Sequence, residues 1–318
     1  MKTIFHFQNT DASLSNLDDE ARTLFNEVCG VTNAMPASIW PEKSKRQKGK
    51  SVLQSVHNYD LKLELDARGW ELEPYVYEQD RSVRRADFNK GVGAAKVVIE
   101  AEFGNASRTD SAQVKFQTAY LNNALKLAIM IVATNKMAKL TDSGLTTFEQ
   151  TRAYFSGLHP AMVAYPLVVI GLEFDESTTV LDWSKSQFSD AECLSGNSGC
   201  NNIVHALSEY KAGVVIDTIG VPQAAELAEV KTLRARLNKP SSTGVAGSKA
   251  DSKAKRKSSK KTADRVEDAE IKLESVEADV PTSLVGACLA LGTRLFAAVK
   301  NCMTTCWDAI QPPTLKIK

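Results

Sequence analysis

Three carboxylates in an apolar setting are the first chemistry this sequence offers. From Arg84 to Asn105 the chain reads RRADFNKGVGAAKVVIEAEFGN. Asp87, Glu100 and Glu102 lie in or beside a run that otherwise has the composition of a buried strand, and core strands rarely keep charges without a partner. Alternate side chains of a strand share a face. Lys96, Val98, Glu100 and Glu102 therefore point one way, and Val97, Ile99, Ala101 and Phe103 point the other, into a core. Glu100 and Glu102 stand roughly 6–7 Å apart along such a strand. Like charges that close raise each other's pKa unless a cation lies between them. A hard divalent cation resolves the repulsion, since Mg²⁺ takes one or two carboxylates together with water and phosphate oxygens. Asp87 precedes Glu100 by 13 residues, a separation that suits a turn and a return strand bringing the two together. The competing reading of the same residues is an exposed strand face with solvated glutamates.

The elements that must position these acids follow from periodicity. Ser13 to Val28 reads as a helix with Leu17, Ala21, Leu24 and Val28 on one stripe. Ser51 to Arg68 reads as a longer helix stopped by Gly69. Strands are predicted over Trp70 to Glu78 and Ala94 to Phe103. Thr109 and Asp110 are predicted N-caps of a helix running to about Leu125. LAIMIVAT (Leu127 to Thr134) and YPLVVIGLEF (Tyr165 to Phe174) are nearly continuous apolar runs, the mark of strands buried on both faces. A helix over Thr146 to Ser156, a last strand over Gly213 to Ile219, and a charged helix from Pro222 to Leu237 complete the pattern. The fold class is α/β (α+β), with helices packed around a mixed central sheet.

Composition divides the chain and limits its function. Residues 1–238 alternate apolar periodic runs with turns, 239–263 form a Pro/Gly/Ser/Lys linker, and 264–318 run from an acidic patch into an apolar helical extension. The formal net charge of the 318 residues is +1, which excludes a global basic field for nucleic acid and leaves any such surface local. Six cysteines form no CxxC pair, so zinc-ribbon spacing is absent. The four histidines (His6, His57, His159 and His205) form no cluster. The opening MKTIFHFQNTD has no apolar stretch long enough for a signal peptide, and a cytoplasmic protein with reduced thiols is expected. Arg81, Arg84 and Arg85 flank the acidic strand, and Arg108, Lys115, Lys136 and Lys139 follow it. Such cations can fix a register on phosphates without reading sequence, or can be ordinary solvated charge. The basic run KSKRQKGK (Lys43 to Lys50) and the linker segment KAKRKSSKK (Lys253 to Lys261) offer the same choice. SGNSG (Ser195 to Gly199) lacks the ending of a phosphate-binding loop and reads as a plain loop. The C-terminal stripe of Leu284, Cys288, Leu291, Leu295, Ala298, Cys302 and Cys306 predicts an amphipathic helix packed on the body or on a second copy. Arg294 and Lys300 interrupt it, so no membrane span is expected.

The ordered set around the acids resembles the BglII/BamHI-like type II restriction endonucleases, the ExE variant of the PD-(D/E)xK nuclease superfamily. A helix ends in Gly69 and Trp70, and an Asp87-Phe88 pair follows. Then come Glu100, Glu102, Phe103 and Asn105, a helix, a hydrophobic strand ending near Asn135 and Lys136, and finally PLVVIGLEFD. The resemblance covers roughly residues 1–220. It implies that Asp87 and Glu100 ligate Mg²⁺ and that Glu102 occupies the position of the superfamily's usual lysine, within reach of the attacking water. Lys96 cannot replace that lysine, because four residues of extended strand put it about 13 Å from Glu100. Glu71 or Glu73 would match an upstream polar residue near the metal. Asn105, Arg84, Arg85, Arg108, Lys115 and Lys136 become candidate DNA contacts. The implied function is Mg²⁺-dependent, site-specific hydrolysis of double-stranded DNA in defence against foreign DNA, by a homodimer, with a cognate methyltransferase as partner. The alternatives are a repair-type nuclease and a DNA-binding module of this fold without catalysis.

Overall fold

The computed structural model describes residues 1–41, 43, 49–76, 85–103, 108–189, 192 and 196–238. In chain order the elements are β1 (Lys2–Gln8), α1 (Asp19–Ala34), β2 (Ala37–Ile39), α2 (Gln54–Ala67), β3 (Glu71–Leu72), β4 (Phe88–Val92), β5 (Ala95–Glu102) and α3 (Arg108–Leu121). They continue as β6 (Leu125–Ala133), α4 (Asn135–Ala138), α5 (Phe148–Gly157), β7 (Leu167–Glu173), β8 (Val180–Asp182), α6 (Gly196–Lys211) and α7 (Ala224–Leu237). Six strands form one mixed sheet in the order β1-β7-β6-β5-β4-β3. Its centre, β5, β6 and β7, is parallel, and β1, β4 and β3 attach antiparallel at the two sides. β2 and β8 pair parallel in a small second sheet.

The central strands are apolar on both sides because helices cover both sides. On one face, Val97, Ile99, Leu127, Ile129, Ile131, Val168 and Ile170 pack with Leu24 and Val28 of α1 and Leu61 and Leu65 of α2. On the other, Val98, Ala128, Met130, Val132 and Val169 pack with Phe116 of α3 and Phe155 of α5. A third apolar cluster joins Trp40, Val56 and Trp183 to Ile203 and Leu207 of α6. Gly171 sits where β7 is squeezed between β1 and α5: a Cβ there would stand 2.8 Å from both Ile4 and Phe148.

Most of the predicted elements are present with shifted ends. The first helix starts at Asp19, capped by the Asp18 carboxylate on the Ala21 N–H, and runs on to Ala34. The second spans Gln54–Ala67, and Gly69 leaves it at φ +77°, a conformation natural to glycine. Of the strand predicted over Trp70 to Glu78, the described part keeps only Glu71–Leu72, because Glu73 turns into the left-handed region (φ +48°) and Pro74 follows, while Tyr77 and Glu78 lie outside the described residues. Thr109 and Asp110 lie inside the first turn of α3 rather than capping it. Gly213 to Ile219 forms no strand; Ile216–Thr218 is a 3₁₀ turn. SGNSG is no loop either, for α6 begins at Gly196. The N-terminal segment forms an edge strand that periodicity did not single out. The predicted linker and C-terminal helix, at 239–318, lie outside the described residues. Among the described residues no helix is long and apolar enough to cross a membrane.

Candidate active site

The acids are brought together by a tight hairpin. Val92 pairs with Ala95, so the turn between β4 and β5 holds two residues, and Gly93 supplies the positive φ (+56°) that such turns require. From there the ladder runs back to Phe88 opposite Ile99. One further step sets Asp87 opposite Glu100, as the 13-residue spacing anticipates. The Asp87 carboxylate is fixed by the Ala101 N–H, which donates to Oδ2 at 2.8 Å. Glu100 and Glu102 are 5% and 7% exposed. The face they occupy is therefore not solvated, and α3 packs against β5 there.

Burial and mutual repulsion both act on these groups. Burial pushes the Glu100 carboxyl up to about 8, and the charges of Asp87 and Glu102 add to the rise against the opposing pull of Lys115. Asp87 is likewise raised by burial, with the Ala101 N–H and the Lys115 charge pulling it back and Glu73 adding to the rise. Glu100 Oε2 accepts a hydrogen bond from Lys115 Nζ at 2.6 Å, while Oε1 is buried without a hydrogen-bond partner among the described residues.

The two upstream acids have different surroundings. Glu73 donates its backbone N–H to the Asp87 carbonyl at 2.9 Å and pairs with Lys62 at 3.0 Å. Glu71 pairs instead with Lys96 at 3.7 Å. Glu73 is thus the neighbour of Asp87. A cleft of about 270 Å³ opens beside Asp87 and Ala101, lined from α2 by Ser55, Asn58, Tyr59 and Lys62 and from α3 by Arg108. The α2 residues were missed from sequence. Their signal was a polar stripe at positions i, i+3, i+4 and i+7 of the second helix.

The expected phosphate contacts divide. Arg108 faces the cleft. Arg85 lies 3.8 Å over the Tyr75 ring and donates to the Glu73 carbonyl, so it braces the segment before Asp87. Lys115 is turned inward to Glu100. Lys136, with a side chain 64% exposed, pairs with Glu173 at 3.3 Å. Of the basic run, Lys43 pairs with Asp142 and Lys50 donates to the Lys139 carbonyl. Arg81, Arg84, Asn105 and positions 44–48 lie outside the described residues.

As side chains now stand, no group of three or more His, Cys, Asp or Glu among the described residues is arranged to hold an ion. The donor chemistry nevertheless suits Mg²⁺: two adjacent carboxylates, one with an oxygen lacking a hydrogen-bond partner, are the hard ligands this ion takes along with its waters.

A mixed sheet covered by helices on both faces, with an acid at a strand start facing an ExE pair on the next strand, defines the restriction-endonuclease-like class of nuclease. A family model described as restriction endonuclease BglII/BglIII matches residues 3–172, and the chain belongs to that family. It is accordingly a type II site-specific deoxyribonuclease. Among solved structures the chain is similar to restriction endonuclease BglII complexed with a DNA 16-mer, at 19% identity and TM-score 0.47, over 56% of this chain and 79% of that one. Free BglII aligns at 14% identity and TM-score 0.38, over 56% and 82%. No curated protein matches the sequence.

The raised Glu100 pKa carries a stability signature. Between its ordinary value of 4.5 and about 8 the folded, metal-free protein retains a proton that the unfolded chain releases. Stability must then fall as pH rises through that window. Calorimetric melting in a chelating buffer is expected to show this decline from about pH 4.5 to about pH 8, and Glu100→Gln is expected to flatten it. Parallel curves for the two proteins would mean that Glu100 is ionised throughout.

Proposed function

We propose that the chain hydrolyses double-stranded DNA at a specific site in a Mg²⁺-dependent reaction, with Asp87 and Glu100 as the metal ligands and Glu102 as the residue that handles the attacking water. The observation that carries this reading is the hairpin register, which sets Asp87 against Glu100 with Glu102 two residues on. When bound, Mg²⁺ would polarise the scissile phosphate and lower the pKa of a water. Glu102 would accept that water's proton on its carboxylate as the new P–O bond forms and the ester P–O bond breaks, and the departing ester oxygen would take a proton from solvent water. Arg108, at the head of α3 and facing the same cleft as Asp87, would hold a phosphate by charge. Glu73 stands as the upstream polar residue, positioned by Lys62.

The solved BglII complex contains DNA, which supports duplex DNA as the partner. A homodimer would match a two-fold symmetric site. A defence role, a cognate methyltransferase and a cytoplasmic location complete the proposal. The nuclease unit would be residues 1–238, followed by a basic linker (239–263) and an extension (264–318). Leu237 supports that boundary, since it is fully buried in the main core.

Plasmid DNA incubated with Mg²⁺ is expected to be cut into discrete bands. A smear would indicate unspecific hydrolysis, and intact plasmid would refute the reading. Asp87→Ala and Glu100→Ala should each abolish cutting while a gel shift with duplex DNA persists; near-normal cutting by either would remove it as a ligand.

Glu102→Gln keeps the side chain's shape and removes its basicity. Single-turnover cleavage should slow by roughly 10²–10⁴-fold, with little change in DNA affinity. Undiminished cleavage at ordinary Mg²⁺ would take Glu102 out of the mechanism.

A chain ending at Asn238 should keep both a cooperative melt and the cutting pattern. A collapsed thermal transition in that truncated protein would place the extension in the core.

A further inference from the structure

The cation beside the acids is Lys115, and it comes from a helix rather than from the acidic strand. Its side chain runs inward from α3, is only 13% exposed, and ends 2.6 Å from Glu100 Oε2. A lysine at a helix surface normally keeps its ammonium in water, and drawing it inward is unfavourable unless it answers a charge. Here it answers more than one, since its field reaches both Asp87 and Glu100. Neighbouring lysines are engaged elsewhere, Lys62 with Glu73 and Lys96 with Glu71.

We propose that Lys115 is the internal counterion of the acid pair: its ammonium occupies the Glu100 oxygen that a divalent cation would take, so the two compete and Lys115 sets the affinity of the site for metal. The inference rests on Asp87 and Glu100 being the metal ligands. A cation arriving at Glu100 must either displace the ammonium from Oε2 or bind Oε1 with a positive charge a few ångströms away. Either route lowers affinity. Four rotatable methylene bonds let the ammonium swing clear once a divalent ion has arrived. In the metal-free protein the same ammonium offsets the buried charge of Asp87, and that of Glu100 once it is ionised. Lys115 is therefore a positioning residue, not a group that touches the reacting atoms.

Ca²⁺, another oxygen-seeking cation, is the probe, titrated calorimetrically into the full-length protein without DNA. Lys115→Met should bind Ca²⁺ at least about tenfold tighter than wild type, the scale of one opposing charge in a partly buried site. Metal-free, it should melt below wild type, and the gap should close as Ca²⁺ is added. Lys115→Gln keeps a hydrogen-bond donor for Glu100 without the charge; it should also bind tighter, and it decides the matter if the Met variant does not fold. Equal Ca²⁺ affinity in wild type and the folded variant, with binding lost in Asp87→Ala, would overturn the counterion role and leave the metal ligands standing. If neither wild type nor the lysine variants bind Ca²⁺, the ligand assignment and the counterion role fall together.

Discussion

Two carboxylates held side by side, one buried and one at the wall of a cleft, repel each other when ionised, and much of this structure can be understood as the means of holding them there. The β4–β5 hairpin sets Asp87 against Glu100, and the Ala101 N–H fixes the first while Lys115 fixes the second. Unpaired, such buried charges would shed their ionisation or unfold the protein. With one ammonium among them, Glu100 still sits far above the usual carboxylate range. The site is thus under-neutralised by its own protein groups. That is the condition under which an external cation binds with most advantage.

Holding this arrangement demands a stiff platform. β5 is hydrogen-bonded on one side to β6 and on the other to β4, and the strands beyond it are buried on both faces. Close-packed interiors transmit small displacements rather than absorb them, so acids carried on this strand keep their spacing better than acids on a loop. The tight approach at Gly171, where Ile4 and Phe148 leave no room for a side chain, locks the β1–β7 edge of the same sheet to α5.

The cleft wall is braced from further along the chain. Lys211 of α6 pairs with the buried Asp60 and with Glu64 of α2, at 2.6 and 2.5 Å, and Arg236 of α7 pairs with Asp66 at 2.8 Å. Asn238 meets Lys62 at 2.9 Å beside the cleft. The segment after the family match at residue 172 therefore buttresses α2, the helix whose polar stripe lines the cleft. With a net charge of only +1, attraction for a polyanion must come from cations at particular places such as this one.

The sequence by itself determined the class of the fold and drew attention to three acids in an apolar run. Continuous apolar runs can only be strands or helices buried on all sides, so β5, β6 and β7 were legible from composition and period; the acids stood out as charges in such a run, but a solvated strand face fitted them equally, and the D…ExE reading came from the family resemblance. The short strand β3, the 3₁₀ turn at Ile216–Thr218 and the start of α6 at Gly196 were not. Their backbone is decided by pairing and packing that local propensity does not contain. The same holds for the polar residues. Periodicity says which face of a strand Glu100 occupies, but whether that face is wet depends on α3 packing over it. Lys115 looked like one more surface cation, and only the packing of α3 on β5 turned it inward to Glu100. Likewise Glu71 and Glu73 are interchangeable in sequence, until a left-handed turn at Glu73 carries one of them to Asp87 and leaves the other with Lys96. Residue type and spacing fix which groups can do chemistry; which of them meet is fixed by contacts between segments far apart in the chain, through distances and burial that no local pattern encodes.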